Sequence, residues 1–282
     1  MERAQLTTQS LTNRSLTPMP YCRLETPNGP RYATIEDRDG APCATALMAP
    51  PPESRVAYDP AENFSAIALA EATLLPPVEP SKIVCVGRNY RDHAAELGNE
   101  VPAEPLLFFK PPSSLLAPST AIRLPAQSSR VDFEGELAIV IAKQARALNA
   151  DTDLRPYIRG YTIVNDVTAR DLQKKDGQWT RAKGFDTFCP CGPFVSADIN
   201  PALGVFVETK LNGERKQHGF TRDFIFPVPR LLVYITAAMT LEPRDLIPTG
   251  TPAGVGPMSA GDTVEVSIEG LGVLKNPVEA GK

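Results

Sequence analysis

The stretch RVDFEGELAIVI, residues 130–141, has the pattern of a β-strand but carries acids where a buried strand should have none. Alternate side chains of a pleated strand share a face. Asp132, Glu134 and Glu136 therefore fall on one side, and Phe133, Leu137, Ile139 and Ile141 on the other. The acidic face continues into Ala138 and Val140, so it heads into an interior rather than along a solvated edge. Neighbours on one face lie about 6.5 Å apart, and two such charges repel by about 2 to 3 kcal/mol at an effective dielectric near 20. A buried carboxylate stays ionised only when it is paired or metal-bound, and otherwise takes up a proton. Arg130 and Arg146 are candidates for pairing, and a salt-bridged strand end suits Asp132 better than Glu134 or Glu136.

A second acid ends another apolar strand. In GYTIVNDVTARD, residues 160–171, Asp166 follows Thr162 and Val164 on one face, at the point where the strand stops. Two strands presenting Glu134, Glu136 and Asp166 to a common point would form an all-oxygen site without His or Cys, a ligand set suited to Mg²⁺, Mn²⁺ or Ca²⁺. From spacing alone this reading competes with solvated or arginine-paired acids. In GRNYRDHAAELG, residues 87–98, His93 and Glu96 stand three apart on a predicted helix that Gly98 stops. A carboxylate so placed can orient an imidazole and raise its basicity, as in pairs that activate water; the same spacing also describes an ordinary surface pair. His218, in RKQHGF, is expected in an exposed loop. In LIPTGTPAGVG, residues 246–256, Gly250, Gly254 and Gly256 let backbone amides approach a ligand, and Thr249 and Thr251 add hydroxyls. The Gly-Lys-Ser/Thr ending of a phosphate-binding loop is missing, so by itself this segment is a turn.

The rest of the chain bounds the class. It has 282 residues, 42% hydrophobic and 22% charged, which is enough for a full core. The net charge is −4 and the basic residues are scattered, so nucleic acid is not an expected partner. No stretch approaches 18 consecutive apolar residues and the N-terminus has no apolar leader, which predicts a soluble, cytoplasmic protein with no membrane partner. Five cysteines, in a CxC pair and three singles, fit structural thiols better than a disulfide framework or a zinc site. Twenty-nine prolines, about twice the usual share, indicate many rigid turns.

Organisation follows the same signals. Residues 1–20 are polar and patternless and read as a mobile arm. Residues 21–78 read as a small β-rich domain that opens with the hairpin YCRLETPNGPRYATIED, and clustered prolines near Pro80 mark its boundary. Residues 79–282 hold short strands at KIVCVG, LLFFK, AIRLP and GYTIVND and hairpins at VFVETKLNGERKQ and DTVEVSIEGLGVLKN. Helical patterns appear at TARDLQKK and VPRLLVYITAAM. Many strands, few helices and no βαβ alternation predict a mainly β (α+β) architecture with peripheral helices.

Taken together, IVCVGRNYRDHAAE, PLLFFKPPSSL, DFEGELAIVI, GYTIVNDVTARDLQ, WTRAKGFDTFCPCGPF, LNGERKQHGFTRDFIF and IPTGTPAGVG resemble the fumarylacetoacetate hydrolase family in order and spacing, from about Lys82 to the C-terminus. The resemblance implies a twisted β-roll catalytic domain, a homodimer, and a divalent cation, Mg²⁺ or Mn²⁺ and Ca²⁺ in crystals, held by Glu134, Glu136 and Asp166. It also implies that Lys183 of RAKGFD faces the substrate, where an ammonium holds a carboxylate or an oxyanion. Arg170 and Gln173 match positions near a bound 2-oxo acid, Thr251 and its neighbour Gly250 match substrate-binding positions, and His93 with Glu96 matches a catalytic dyad on a closing helix. Two departures stand out: Arg244 where the family commonly has Gly, and Ile225 where Met is usual. The function expected on this basis is metal-dependent hydrolysis of a C–C bond in an acylpyruvate or fumarylpyruvate-like β-diketo acid, with His93 and Glu96 activating water. The alternative is an isomerase or decarboxylase (tautomerase) acting on 2-hydroxyhepta-2,4-diene-1,7-dioate-type intermediates of aromatic catabolism. A non-catalytic calcium-binding β-domain is the remote third.

Overall fold

Both faces of the strand Gly135–Ile141 are covered, which is why GELAIVI is apolar on both sides. Leu137, Ile139 and Ile141 pack in one core with Val207, Val266 and Ile268 of a second sheet and with Leu231, Leu232 and Ile235 of the helix Val228–Ala238. Ala138 and Val140, on the opposite face, pack with Ile83, Cys85, Val164 and Cys189. The computed structural model describes residues 19–96, 98 and 100–281. It is a mainly β architecture, as expected.

Gly135–Ile141 lies inside a 12-stranded sheet, between Ile158–Asn165 and Leu246–Pro248, antiparallel to both. Leu246–Pro248 runs parallel to Ile83–Gly87, which pairs antiparallel with Leu106–Lys110. On the other side Ile158–Asn165 pairs with Cys189–Ser196, and Cys189–Ser196 with Tyr21–Thr26. The N-terminal hairpin Tyr21–Thr26 and Gly29–Arg38 gains a third strand, Ala41–Met48, and joins the large sheet through Tyr21 opposite Val195. Five strands, among them Phe206–Leu211, Glu214–Phe220, Thr263–Ile268 and Gly272–Ala280, form the second sheet. The Asn212-Gly213 turn between the first two has positive φ at both residues (53° and 80°), the geometry that favours this dipeptide in hairpins.

Three expectations change. The stretch 130–141 is two strands rather than one, because the backbone leaves its ladder at Glu134. There the Glu134 N–H donates to the Asn165 side chain at 2.9 Å and the Gly135 N–H to the Gln217 side chain at 3.0 Å. Gly135 has no room for a side chain, since a Cβ would lie 2.2 Å from Thr209 Oγ1 on the second sheet. Val131–Phe133 pairs elsewhere, with Thr168–Ala169 and Gly256–Pro257. His218 sits on the strand Glu214–Phe220 and not in a loop, exposed and stacked 6.1 Å from the Phe206 ring. The helix after Ile83–Gly87 is short, Arg91–Glu96, with residues 97 and 99 outside the described set. The expected N-terminal arm lies outside it as far as residue 18. Arg244, the position where a glycine was expected, has φ 73°, the left-handed region in which glycine is unstrained.

Candidate active site

The break at Glu134 brings the acids together. Gly135 lies opposite Asn165 in the ladder, so Asp166, one step further, comes beside Glu134, and its N–H donates to the Glu134 carbonyl at 2.8 Å. Glu136, on the face of Ala138 and Val140, accepts from the Gly250 N–H at 2.8 Å. Gly250 has φ 101°, and a Cβ there would come within 2.7 Å of the Asn89 Cβ, so only glycine fits this turn. The three carboxylates are buried, and each offers one oxygen within 4.8 Å of the other two. Asp132 is not part of this group. Its carboxylate is buried between Arg130 (2.9 Å) and Arg170 (3.0 Å), as the salt-bridged reading expected in the case of Arg130.

Cations crowd two of the three acids. Lys183, on the short helix Thr180–Gly184, reaches Glu134 at 2.7 Å and Asp166 at 2.6 Å. Lys110, at the end of Leu106–Lys110, donates to Asp166 at 2.7 Å and to the Val167 carbonyl at 3.2 Å. Arg170, the first residue of the helix Arg170–Asp176, binds Glu134 at 2.5 Å and Gln173 Oε1 at 2.7 Å. Burial alone would push the Glu134 carboxyl up, but Lys183 and Arg170 outweigh it and hold the group well below the usual carboxylate range. Lys183 is likewise held charged: burial opposes the charge, and Asp166 and Glu134 overcome it. Among the described residues no lysine or arginine pairs with Glu136, and burial together with Asp166 and Glu134 pushes its carboxyl well above the usual range. A buried all-oxygen set in which one acid has no counter-charge among the described residues fits a hard divalent cation.

Lys110 had no role in the sequence reading. The signal was present, because LLFFK ends an apolar strand on a charge just as GYTIVND does.

A cavity of about 410 Å³ opens over the acids, lined on one side by Val86, Phe108 and Trp179 and on the others by His93, Arg170, Gln173, Lys183 and Thr251. His93 is buried, with Nδ1 3.4 Å from Glu96 Oε2. The Glu96 carboxylate is anchored in turn by the Gly254 N–H at 3.0 and 3.1 Å. Burial lowers the His93 pKa against the opposing pull of Glu134 and Glu96, which keeps the imidazole neutral near pH 7. Asn89 fixes the start of this segment by donating to the Phe226 and Thr249 carbonyls at 3.1 and 2.8 Å. Thr251 reaches the cavity, but its hydroxyl is engaged, donating to the Gly135 carbonyl at 2.9 Å and accepting from Gln217 at 2.7 Å. Gly250 serves Glu136 and does not line the cavity. Gln217, which the sequence reading passed over, ties Gly135 to Thr251 and Pro252 and so links the acidic strand to the 250 loop.

Residues 82–279 match the family model of the fumarylacetoacetate (FAA) hydrolase C-terminal domain. This chain belongs to the fumarylacetoacetate hydrolase family. The crystal structure of a 2-hydroxyhepta-2,4-diene-1,7-dioate isomerase from Mycobacterium marinum superposes with a TM-score of 0.79 at 45% identity, over 93% of this chain and 98% of the other. A mitochondrial oxaloacetate decarboxylase from Dictyostelium discoideum is 47% identical over 67% of this chain and 89% of its own. The oxaloacetate tautomerase YisK of Bacillus subtilis is 40% identical over 75% of this chain and 74% of its own. The fumarylacetoacetate hydrolase family is thus one of enzymes, with isomerase, tautomerase and decarboxylase members among this chain's relatives. No helix among the described residues is long and apolar enough to cross a membrane.

Proposed function

We propose that this protein is a divalent-metal-dependent enzyme that draws a short 2-oxo dicarboxylic acid through its enol, as a tautomerase or decarboxylase. The observation that carries this reading is Glu136, a buried acid with no lysine or arginine partner among the described residues, set beside Glu134 and Asp166 in the cavity that also holds Lys183 and His93. Glu134, Glu136 and Asp166 would hold the cation, Mg²⁺ or Mn²⁺, which when bound supplies Lewis-acid stabilisation of enolate charge. Lys183 adds an ammonium fixed by Glu134 and Asp166, whose third N–H can hold a substrate carboxylate or a developing oxyanion. With Nδ1–H directed at Glu96, His93 carries its lone pair on Nε2, where it can take a proton from C3 of the substrate and return it to carbon or oxygen. In the decarboxylating variant the C3–C4 bond breaks, its electrons form the enolate of pyruvate, CO₂ leaves, and His93 relays a proton from water to C3, leaving hydroxide. Phe108 and Trp179 keep that wall of the cavity apolar and limit water. The names of the relatives support the same class of reaction.

Hydrolysis of an acylpyruvate or fumarylpyruvate-like acid is the second reading, favoured by the His93–Glu96 pair, because the same imidazole can take its proton from water. The two separate in one experiment. Chelator-stripped protein is supplied with Mg²⁺ and given either oxaloacetate or acetylpyruvate, and enol absorbance is followed together with pyruvate and acetate. Consumption of the oxaloacetate enol faster than with Mg²⁺ alone, and no acetate from acetylpyruvate, is the expected result. Acetate and pyruvate from acetylpyruvate, with oxaloacetate untouched, would replace the proposal with the hydrolase.

A further inference from the structure

Two cations flank the aromatic wall of the cavity. The Phe108 and Trp179 rings meet edge to face with centroids 5.1 Å apart. Lys183 Nζ lies 4.9 Å from the Phe108 centroid, at the acid end. At the other end Arg88 Cζ lies 6.0 Å from the Trp179 centroid. Lys183 is committed to Glu134 and Asp166. Arg88 lines the same cavity, half-buried, and among the described residues no carboxylate pairs with it.

The backbone takes unusual measures to put Arg88 there. Its φ is 56°, in the left-handed region, which disfavours a residue with a side chain by about 1 to 2 kcal/mol. The preceding Gly87 could not carry a Cβ without meeting the Trp179 ring at 3.0 Å. Strain of this kind at a cavity wall persists where the surroundings fix it and accompanies ligand sites. Lys174, on the helix Arg170–Asp176, lines the same cavity, exposed and also without a carboxylate partner among the described residues. Four cations (Arg88, Arg170, Lys174, Lys183) thus line the cavity together with three acids (Glu134, Glu136, Asp166), and two of them, Arg170 and Lys183, touch the acids directly. A divalent cation at the acids would leave a positive surplus that one carboxylate does not balance.

We infer that Arg88, assisted by Lys174, binds the remote carboxylate of a dicarboxylic substrate whose 2-oxo acid end lies at Glu134, Glu136 and Asp166. This deepens the functional reading and rests on it. An arginine that merely stacks on Trp179 would be indifferent to that remote group. Isothermal titration of the Mg²⁺-loaded protein with 2-oxoglutarate and 2-oxopentanoate, five-carbon acids that differ only in a terminal carboxylate or methyl, tells the two apart. A charge-assisted contact predicts the diacid bound about tenfold tighter or more. Arg88→Met should weaken the diacid by about tenfold more than the monoacid, and Arg88→Lys, which keeps a charge but loses the fork, should retain part of the preference. Both acids binding without preference, or Arg88→Met weakening both by one factor, would overturn the Arg88 assignment and leave the function standing. Binding of neither acid would overturn both.

Discussion

Replacing Glu136 by Gln should have opposite consequences in the metal-free and metal-loaded protein. Glu136 is 2% exposed and shares a 4.8 Å neighbourhood with two other carboxylates. Two unit charges that close repel by about 3 kcal/mol at an effective dielectric of 20, and in the metal-free protein burial and this repulsion push the Glu136 carboxyl well above its usual range. Gln keeps the shape and can still accept from the Gly250 N–H, so Glu136→Gln should leave metal-free stability unchanged or raise it, by at most about 3 kcal/mol. Metal binding reverses the order. At a metal concentration one hundred times Kd, the wild type should gain about 2.7 kcal/mol, or about 5 °C in melting temperature. A variant that binds tenfold more weakly gains about half as much, and the loss of a ligand charge should do at least that. Glu134→Gln is the contrasting control. It takes one of two buried carboxylates from each of Lys183 and Arg170, which keep Asp166 and Asp132, and should destabilise the metal-free protein by about 2 kcal/mol. Scanning calorimetry with chelator and then with Mg²⁺ reads all three proteins. If Glu136→Gln melts below wild type without metal, or keeps the full metal-induced shift, the reasoning is refuted.

His93→Gln should lower turnover by about 10² to 10⁴ while leaving the metal-induced melting shift intact; loss of that shift would mean the imidazole has a structural job. Because burial lowers the His93 pKa and the neutral form is the base, activity should persist below pH 6.5, the ordinary imidazole value, and fall only as more acidic solutions protonate the ring. A pH–rate profile with its acid limb above that value would contradict the assignment. Lys110→Met removes a fully buried cation from Asp166 and should cost about 3 kcal/mol in urea unfolding, and an unchanged midpoint would show that Lys183 alone neutralises Asp166.

How much of this was legible depended on whether the controlling partner lay nearby in the chain. Glu134, Glu136 and Asp166 stood out because strand alternation and the apolar residues beside them place acids in a core, and both are local properties. His93 and Glu96 stood out for the same reason at helical spacing. The break at Glu134 was hidden, because the groups that replace its ladder bonds are the side chains of Asn165 and Gln217, 31 and 82 residues away. Arg170 resembled a substrate ligand, yet its guanidinium is already spread over Asp132, Glu134 and Gln173, a clustering that only the fold creates. Lys110 ends an apolar strand on a charge, yet the role of Lys110 and of Arg88 escaped notice because Asp166 and Trp179, which give the two cations meaning, come from distant segments. Arg244 was visible as a departure, and its φ of 73° gives that departure a physical reading.

The central claim is that this site, loaded with metal, moves protons at C3 of a 2-oxo dicarboxylic acid. Proton NMR of oxaloacetate in D₂O, with chelator-stripped protein, Mg²⁺, and both together, measures that directly. The account predicts loss of the C3 proton signal with protein and Mg²⁺ well beyond the rate with Mg²⁺ alone, with pyruvate appearing as well for a decarboxylase and not for a tautomerase. C3 exchange no faster than with Mg²⁺ alone would contradict it.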